Sequence, residues 1–428
     1  MTVPKLRFPE FRDAGDWEEK KLGELLSNHP DYGVNAAAVP YSEDLPAYLR
    51  ITDISDEGYY LCDKKVSVDI EAKNENYLSE GDIVLARTGA SVGKSYRYKK
   101  EDGKLVFAGF LIRTKPDPQK LDPTFLFNFI STKQYWNWIS VNSARSGQPG
   151  INSNEYAVLP VPVPPYEKEG ADLLEQKKIA DCLSSIDSLI AAETQKLETL
   201  KAHKKGLMQQ LFPAEGETLP KLRFPAFRDA GDWEEGELGK YFKHIRNGFV
   251  GTATPYYIAG GVPYLQGKNI KQAQIDEKGL VTISNDFHNK QKKSQLHVND
   301  ILMVQSGHVG ECALVNQKFA GSNCHALVVL SPNENTNSAF FVHYFYSPPG
   351  REGIRQITTG NTIKHILTSD LKPLNMYVPI LKEQQKIADC FSSLDDRISA
   401  QTQKITTLKT HKKGLMQQLF PAIDEVKE

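Results

Sequence analysis

Thr88-Gly-Ala-Ser-Val-Gly-Lys-Ser95 holds the small residues and the lysine of a phosphate cradle. That chemistry needs G-x-x-x-x-G-K-[ST], in which backbone N–H groups and the lysine hold a nucleotide's phosphates together. The first glycine of the pattern falls on Thr88. The counterpart later in the chain, Ser306-Gly-His-Val-Gly-Glu311, has a carboxylate where the lysine belongs. Nucleotide binding is therefore not expected. Val163-Pro-Pro-Tyr166 lacks the leading asparagine of the Asn-Pro-Pro-Tyr used to methylate adenine, and no glycine-rich cofactor loop precedes it. The five cysteines (Cys62, Cys182, Cys312, Cys324, Cys390) contain no Cys-x-x-Cys and no metal-like cluster. Cys182 and Cys390 are expected to be small apolar core residues. No catalytic residue and no bound metal are expected.

What remains is polar recognition. Between Val84 and Lys115 stand eight Lys/Arg (Arg87, Lys94, Arg97, Lys99, Lys100, Lys104, Arg113, Lys115) against Glu101 and Asp102, and Lys243–Lys271 carries four cations and no acid. Glycine turns rich in amides and hydroxyls lie nearby, Arg145-Ser-Gly-Gln148 in one half and Thr359-Gly-Asn361 with Lys364-His365 in the other. Arg, Lys, Gln and Asn are the side chains that read purine edges, while Lys and Ser/Thr hold phosphates. The candidate DNA-binding set is Arg87, Thr88, Lys94, Arg97, Arg145, Ser146, Gln148, Lys268, Asn269, Gln305, Ser306, His308, Asn361, Lys364 and His365. A net charge of −1 means that such a role must rest on local patches.

The elements that must position these residues are written twice. Lys5–Glu19 and Lys221–Glu235 match at 14 of 15 positions, and His203–Ala214 and His411–Ala422 are identical over 12. Solenoid repeats run about 20–50 residues, so this is one long unit in two copies, each a changeable part followed by a fixed one. Within the changeable parts Tyr48–Ile54 aligns with Tyr264–Ile270, and Leu78–Gly89 with Leu296–Gly307. Both contain a short strand, Ile83–Ala86 and Ile301–Val304, closed by a hydroxyl residue and a glycine. Pro123–Val141 reads as one helical stretch whose aromatics form core. Asp16 and Asp232, each three residues before a glutamate, read as capping-box starts of short helices.

The fixed part is a long amphipathic helix. In the first copy Ile179, Leu183, Ile186, Ile190, Leu197, Leu200, Leu207 and Leu211 keep one stripe, and in the second Ile387, Phe391, Leu394, Ile398, Ile405, Leu408, Leu415 and Leu419 repeat it. Neither run contains proline, and Pro213 and Pro421 close them. A rod of about 38 residues spans roughly 57 Å at ~1.5 Å per residue and must bury its stripe, for which its twin is the natural partner. A pseudo-twofold axis relating the copies makes the helices antiparallel. No run approaches the ~18 apolar residues of a membrane span, and the start of the chain has no apolar h-region. A cytoplasmic location is expected.

At this point the layout resembles the DNA-specificity subunit of type I restriction–modification enzymes, over essentially the whole chain. The resemblance is carried by the Gly-Asp-Trp-Glu-Glu openings with Leu22-Gly23 and Leu238-Gly239, the Asp-Ile turn strands, and the Pro-x-Pro segment leading into Glu175-Gln176 and Glu383-Gln384-Gln385. The Lys-Lys-Gly-Leu-Met-Gln-Gln-Leu-Phe-Pro ends complete it. It implies an α+β chain with two pseudo-twofold-related α/β target-recognition domains separated by a pair of long antiparallel coiled-coil helices. The regions would be 1–165, the first spacer helix 166–214, the second recognition domain 215–375 and the second spacer helix 376–428. Each domain would read one half of a bipartite DNA site. Two methyltransferase subunits and two restriction (translocase/nuclease) subunits would assemble on the chain and carry the S-adenosylmethionine, ATP and Mg²⁺. The alternative is a coiled-coil adaptor with two protein-binding heads and no DNA specificity. On the recognition reading, four residues added around Glu193–Leu200 lengthen that helix by roughly 6 Å. The expected result is a gap between half-sites one to two base pairs longer, at about 3.4 Å each, with the half-site bases unchanged. Methylation-motif mapping checks this.

Overall fold

Trp17 and Trp233 decide how each half begins. In the computed structural model, which describes residues 3–165, 171–360 and 362–421, both indoles are buried. The residues after them are not helical as their capping-box pattern suggests. Glu18–Lys21 is a strand antiparallel to Pro160–Val163, and Glu234–Glu237 pairs in the same way with Asn375–Val378. A helix of four residues would fix about three residues for its first hydrogen bond, whereas the strand adds to a partner already in place. Pro160 and Pro162 suit this two-stranded edge because each strand has a free side that needs no N–H donor.

The chain forms two compact units, one comprising the residues up to Thr194 together with Gln403 onward, the other Gln195–Thr402. These units cut across the regions read from the sequence, because each takes in part of both long helices.

In the first unit an antiparallel sheet runs in the order Asp31–Tyr32, Leu111–Thr114, Ile83–Ala86, Ser95–Arg97. A second sheet contains Ala38–Pro40, Val66–Val68, Ala47–Leu49 and Leu105–Phe107, the last two parallel. Ile83–Ala86 is buried on both faces: Ile83 and Leu85 enter one apolar cluster, Val84 and Ala86 another, as a period of two requires. The other unit repeats this. Ile301 and Met303 face one cluster and Leu302 and Val304 a second, within the sheet Phe242–Asn247, Leu327–Pro332, Ile301–Val304, Cys312–Leu314. The single helical stretch expected over Pro123–Val141 is two helices, Pro123–Phe129 and Lys133–Asn142, because the Thr132 hydroxyl accepts the Tyr135 N–H and starts a new one. Phe125, Phe129 and Tyr135 are core, but Trp136 is 45% exposed.

The long helices are Ala171–Leu211 and Leu381–Leu419. In the first unit Lys412 pairs with Asp187 and Lys404 with Glu193, so numbers rise on one helix as they fall on the other. In the second unit Lys204 pairs with Asp395, and Phe212 stacks on Phe391 at 5.8 Å. The helices are antiparallel. Ile179, Leu183, Leu197, Leu200, Leu211, Ile387, Phe391, Leu394 and Leu419 are buried, while Ile186, Ile190, Leu207, Ile398, Ile405, Leu408 and Leu415 are half-buried. Cys182 and Cys390 are half-buried rather than fully enclosed, Cys390 packing against the core of the second unit.

The duplicated blocks have a structural cause. Arg7 forms a two-pronged pair with Glu175 at 2.8 Å and donates to the Gly15 carbonyl; Arg223 does the same with Glu383 and Gly231. The neighbouring glutamine fastens the other side. Gln176 accepts the Asp122 N–H and donates to the Lys120 carbonyl, and Gln384 accepts the Asn337 N–H and donates to the Pro379 carbonyl. Each Glu-Gln pair thus ties the start of a long helix to two parts of its own domain.

Candidate nucleic-acid interface

Strand Ile83–Ala86 ends at Arg87 and Thr88, and Gly89 turns the chain with φ +71°. The Gly89 N–H donates to the Pro149 carbonyl and the Ile151 N–H to the Arg87 carbonyl, both at 2.9 Å. Those bonds bring Arg87 and Thr88 to one edge with Arg145, Ser146 and Gln148, which sequence separation alone would not place together. Gly89 is favoured by its left-handed backbone, which disfavours a side chain; a Cβ there would also meet the mobile end of the exposed Gln148 side chain, which can move aside. Ser146 and Gln148 are exposed. Arg87 lies 4.8 Å over the ring of Tyr32, and Arg145 is held by Glu155 at 2.5 Å.

The other half builds the same frame. Gly307, at φ +84°, donates to the Lys364 carbonyl at 3.1 Å, and the Ile366 N–H donates to the Gln305 carbonyl at 3.0 Å. Ser306 bridges His365, whose ring meets the Thr359 hydroxyl at 3.2 Å. Ser306, His308, Lys364 and His365 are exposed and Gln305 is half-buried. The His308 ring lies 3.1 Å from the Gly267 carbonyl, which brings the exposed Lys268 turn to the same edge. Asn361 lies outside the described residues.

Three candidates are placed differently. Asn269 is fully buried, its carboxamide oxygen accepting the Gln266 N–H and its NH₂ donating to the Asp276 carbonyl. Asp53 does the corresponding work in the other half by accepting the Arg50 N–H. Asn269 therefore closes a turn and has no free edge for a base. Arg97 pairs across from Ile83, at the opposite end of the strand from Arg87 and so about 13 Å away at ~3.3 Å per residue. It bonds the Thr124 hydroxyl and lines a separate cleft of about 380 Å³ with Tyr59 and Asp187. Lys94 turns its ammonium to Asp56 at 3.0 Å.

Sequence reasoning missed Tyr32, which supports Arg87, and the arginines of helix Pro348–Ile357. Arg351 lies 4.5 Å over the Tyr346 ring and 3.1 Å from Glu311, and Arg355 is paired with Glu352. The available signal was Arg351 and Arg355 at a spacing of four, which puts both on one helix face.

With this geometry in hand, the comparisons are specific. The model of the type I restriction modification DNA specificity domain matches residues 14–202 and again 230–410. The chain belongs to that family. It is 23% identical over 447 residues to the type I restriction enzyme MjaVIII specificity subunit of Methanocaldococcus jannaschii, covering 99% of this chain and 95% of the relative. To the MjaX specificity subunit of the same archaeon, itself a provisional assignment, it is 26% identical over 424 residues, covering 96% and 94%. The crystal structure of the type I restriction–modification S subunit from M. genitalium shares its fold, with a TM-score of 0.59, 16% identity, and 99% of this chain and 100% of that one covered. The specificity domain occurs here in tandem, and the two matches cover the two copies of the frame. Among the described residues no helix is long and apolar enough to cross a membrane.

Proposed function

We propose that this chain selects the DNA on which a type I restriction–modification complex acts, each domain reading one half of a bipartite, asymmetric site. One observation carries the reading: the same hydrogen-bonded pair of loops stands in both halves and presents different side chains. Arg87, Thr88, Arg145, Ser146 and Gln148 occupy one frame, and Gln305, Ser306 and His365 the other. A shared frame with unlike side chains suits two different base sequences read by direct contact. The chain itself is non-catalytic. It scaffolds two methyltransferase subunits and two restriction subunits in the cytoplasm, and these carry S-adenosylmethionine, ATP and Mg²⁺. The near-identical blocks support that assembly, because two copies of one partner need the same surface twice.

The test is to map methylated adenines in cells with and without the chain. A two-part motif is expected to vanish with it. Replacing residues 1–165 by those of a relative should change one half of the motif only. Arg145→Ala and Gln148→Ala should each cost about 1–3 kcal/mol on the cognate duplex, read by titration. Loss of both halves by a chimera that still assembles would refute independent readers. Cognate binding that does not depend on salt would favour the protein-binding adaptor, since phosphate contacts impose a steep negative slope of log K on log salt.

A further inference from the structure

A hollow of about 460 Å³ opens in the second unit between the loop Gly307–Val309, the helix Pro348–Ile357 and the residues Thr358, Gly360 and Lys364. Arg351, Arg355, Lys364, His308 and Thr358 line it. Glu311 offsets Arg351 and Glu352 offsets Arg355, whereas no ion-pair partner is found for the Lys364 ammonium among the described residues. The hollow is thus left with one uncompensated positive charge, equal and opposite to that of one phosphodiester. Arg351 is fixed by its stack on Tyr346, and the exposed Arg355 can turn from its carboxylate to another oxyanion of similar fork geometry.

The first unit has the same frame without the charge. Thr132 and Ser347 each cap the corresponding helix, and a Cβ on Gly93 or Gly310 would strike Ile139 or Ile354 at 2.9 or 2.8 Å. Gly89 and Gly307 donate to Pro149 and Lys364. These three pairs of contacts put Ala90, Trp136, Ser140 and Pro149 where the second unit has His308, Arg351, Arg355 and Lys364. Four positions on one backbone frame are neutral in one reader and cationic or imidazole-bearing in the other.

We propose that this hollow seats one phosphate of the DNA backbone, an anchor that the first reader lacks. The proposal rests on the DNA-reading function, and the experiment separates the two. The assembled methyltransferase complex is titrated by fluorescence anisotropy against a duplex carrying its mapped motif, over a series of KCl concentrations. The double variant Arg355→Ala/Lys364→Ala should make the slope of log K on log salt shallower by about 1, the value for one lost phosphate contact. It should also weaken binding of motif and non-motif duplexes alike and leave every base of the motif unchanged. Arg355→Lys keeps the charge but not the planar fork, so it should preserve both slope and motif. A slope equal to that of the unmodified complex overturns the anchor. A changed base preference in either variant also overturns it, by making these residues base readers. An unmodified complex with no salt slope on any duplex refutes the DNA-reading function itself.

Discussion

Glu175→Ala is expected to destabilise the first unit by about 3–5 kcal/mol, because it leaves the Arg7 guanidinium buried without its partner. The pair is enclosed, with side-chain exposures of 6% and 2%, and the lost carboxylate accepted both guanidinium prongs. For a domain of about 150–250 residues each kcal/mol moves the midpoint by roughly 2–4 °C, so a drop near 10 °C is expected for that transition. Glu383→Ala should do the same to the second unit, where Arg223 and Glu383 repeat the pair at exposures of 11% and 1%. Hydrogen exchange resolved along the chain provides the check. Loss of protection should concentrate in residues 3–165 for one variant and 221–378 for the other. A loss below about 1 kcal/mol would mean that water replaces the carboxylate, as at exposed pairs.

A fragment ending at Ala214 is expected to be a dimer. In the whole chain the first core is closed by the far end of the second long helix: Phe420 lies 5.0 Å from Phe125, 6.0 Å from Phe129 and 6.3 Å from Trp17, with Met416 and Leu419 alongside. The fragment lacks those residues but carries the same sequence at His203–Ala214, where Phe212 contacts Trp233, Phe340, Tyr344 and Phe391 in the intact protein. Each fragment can close the other's core by donating Phe212 in place of Phe420. Sedimentation should report twice the fragment mass. Phe212→Ala should destabilise the dimer by about 3–5 kcal/mol for each buried aromatic removed. A folded monomer with a protected Trp17 region would rule out this exchange.

Features of this chain that depend on neighbours in sequence differ physically from those that depend on neighbours in space. The duplication, the two long helices and the buried strands Ile83–Ala86 and Ile301–Val304 were legible because each is a local pattern, either identity at a fixed offset or a period of 3.6 or 2. The grouping of Arg87 with Arg145, and of Ser306 with His365, was legible in part, since each lies beside a glycine turn. Other features depend on partners distant in the chain. Glu18–Lys21 carries a local helix-start signal, and only Pro160–Val163 makes it a strand. Asn269 has the chemistry of a base reader, but a turn closed by Gln266 and Asp276 buries it. Lys94 and Arg97 belong to the basic run, yet Asp56 and Thr124 hold them elsewhere. Residue type and spacing determined that this chain has two readers on paired helices. Which polar groups were free to read was decided by burial and competing hydrogen bonds, which exist only once distant segments meet.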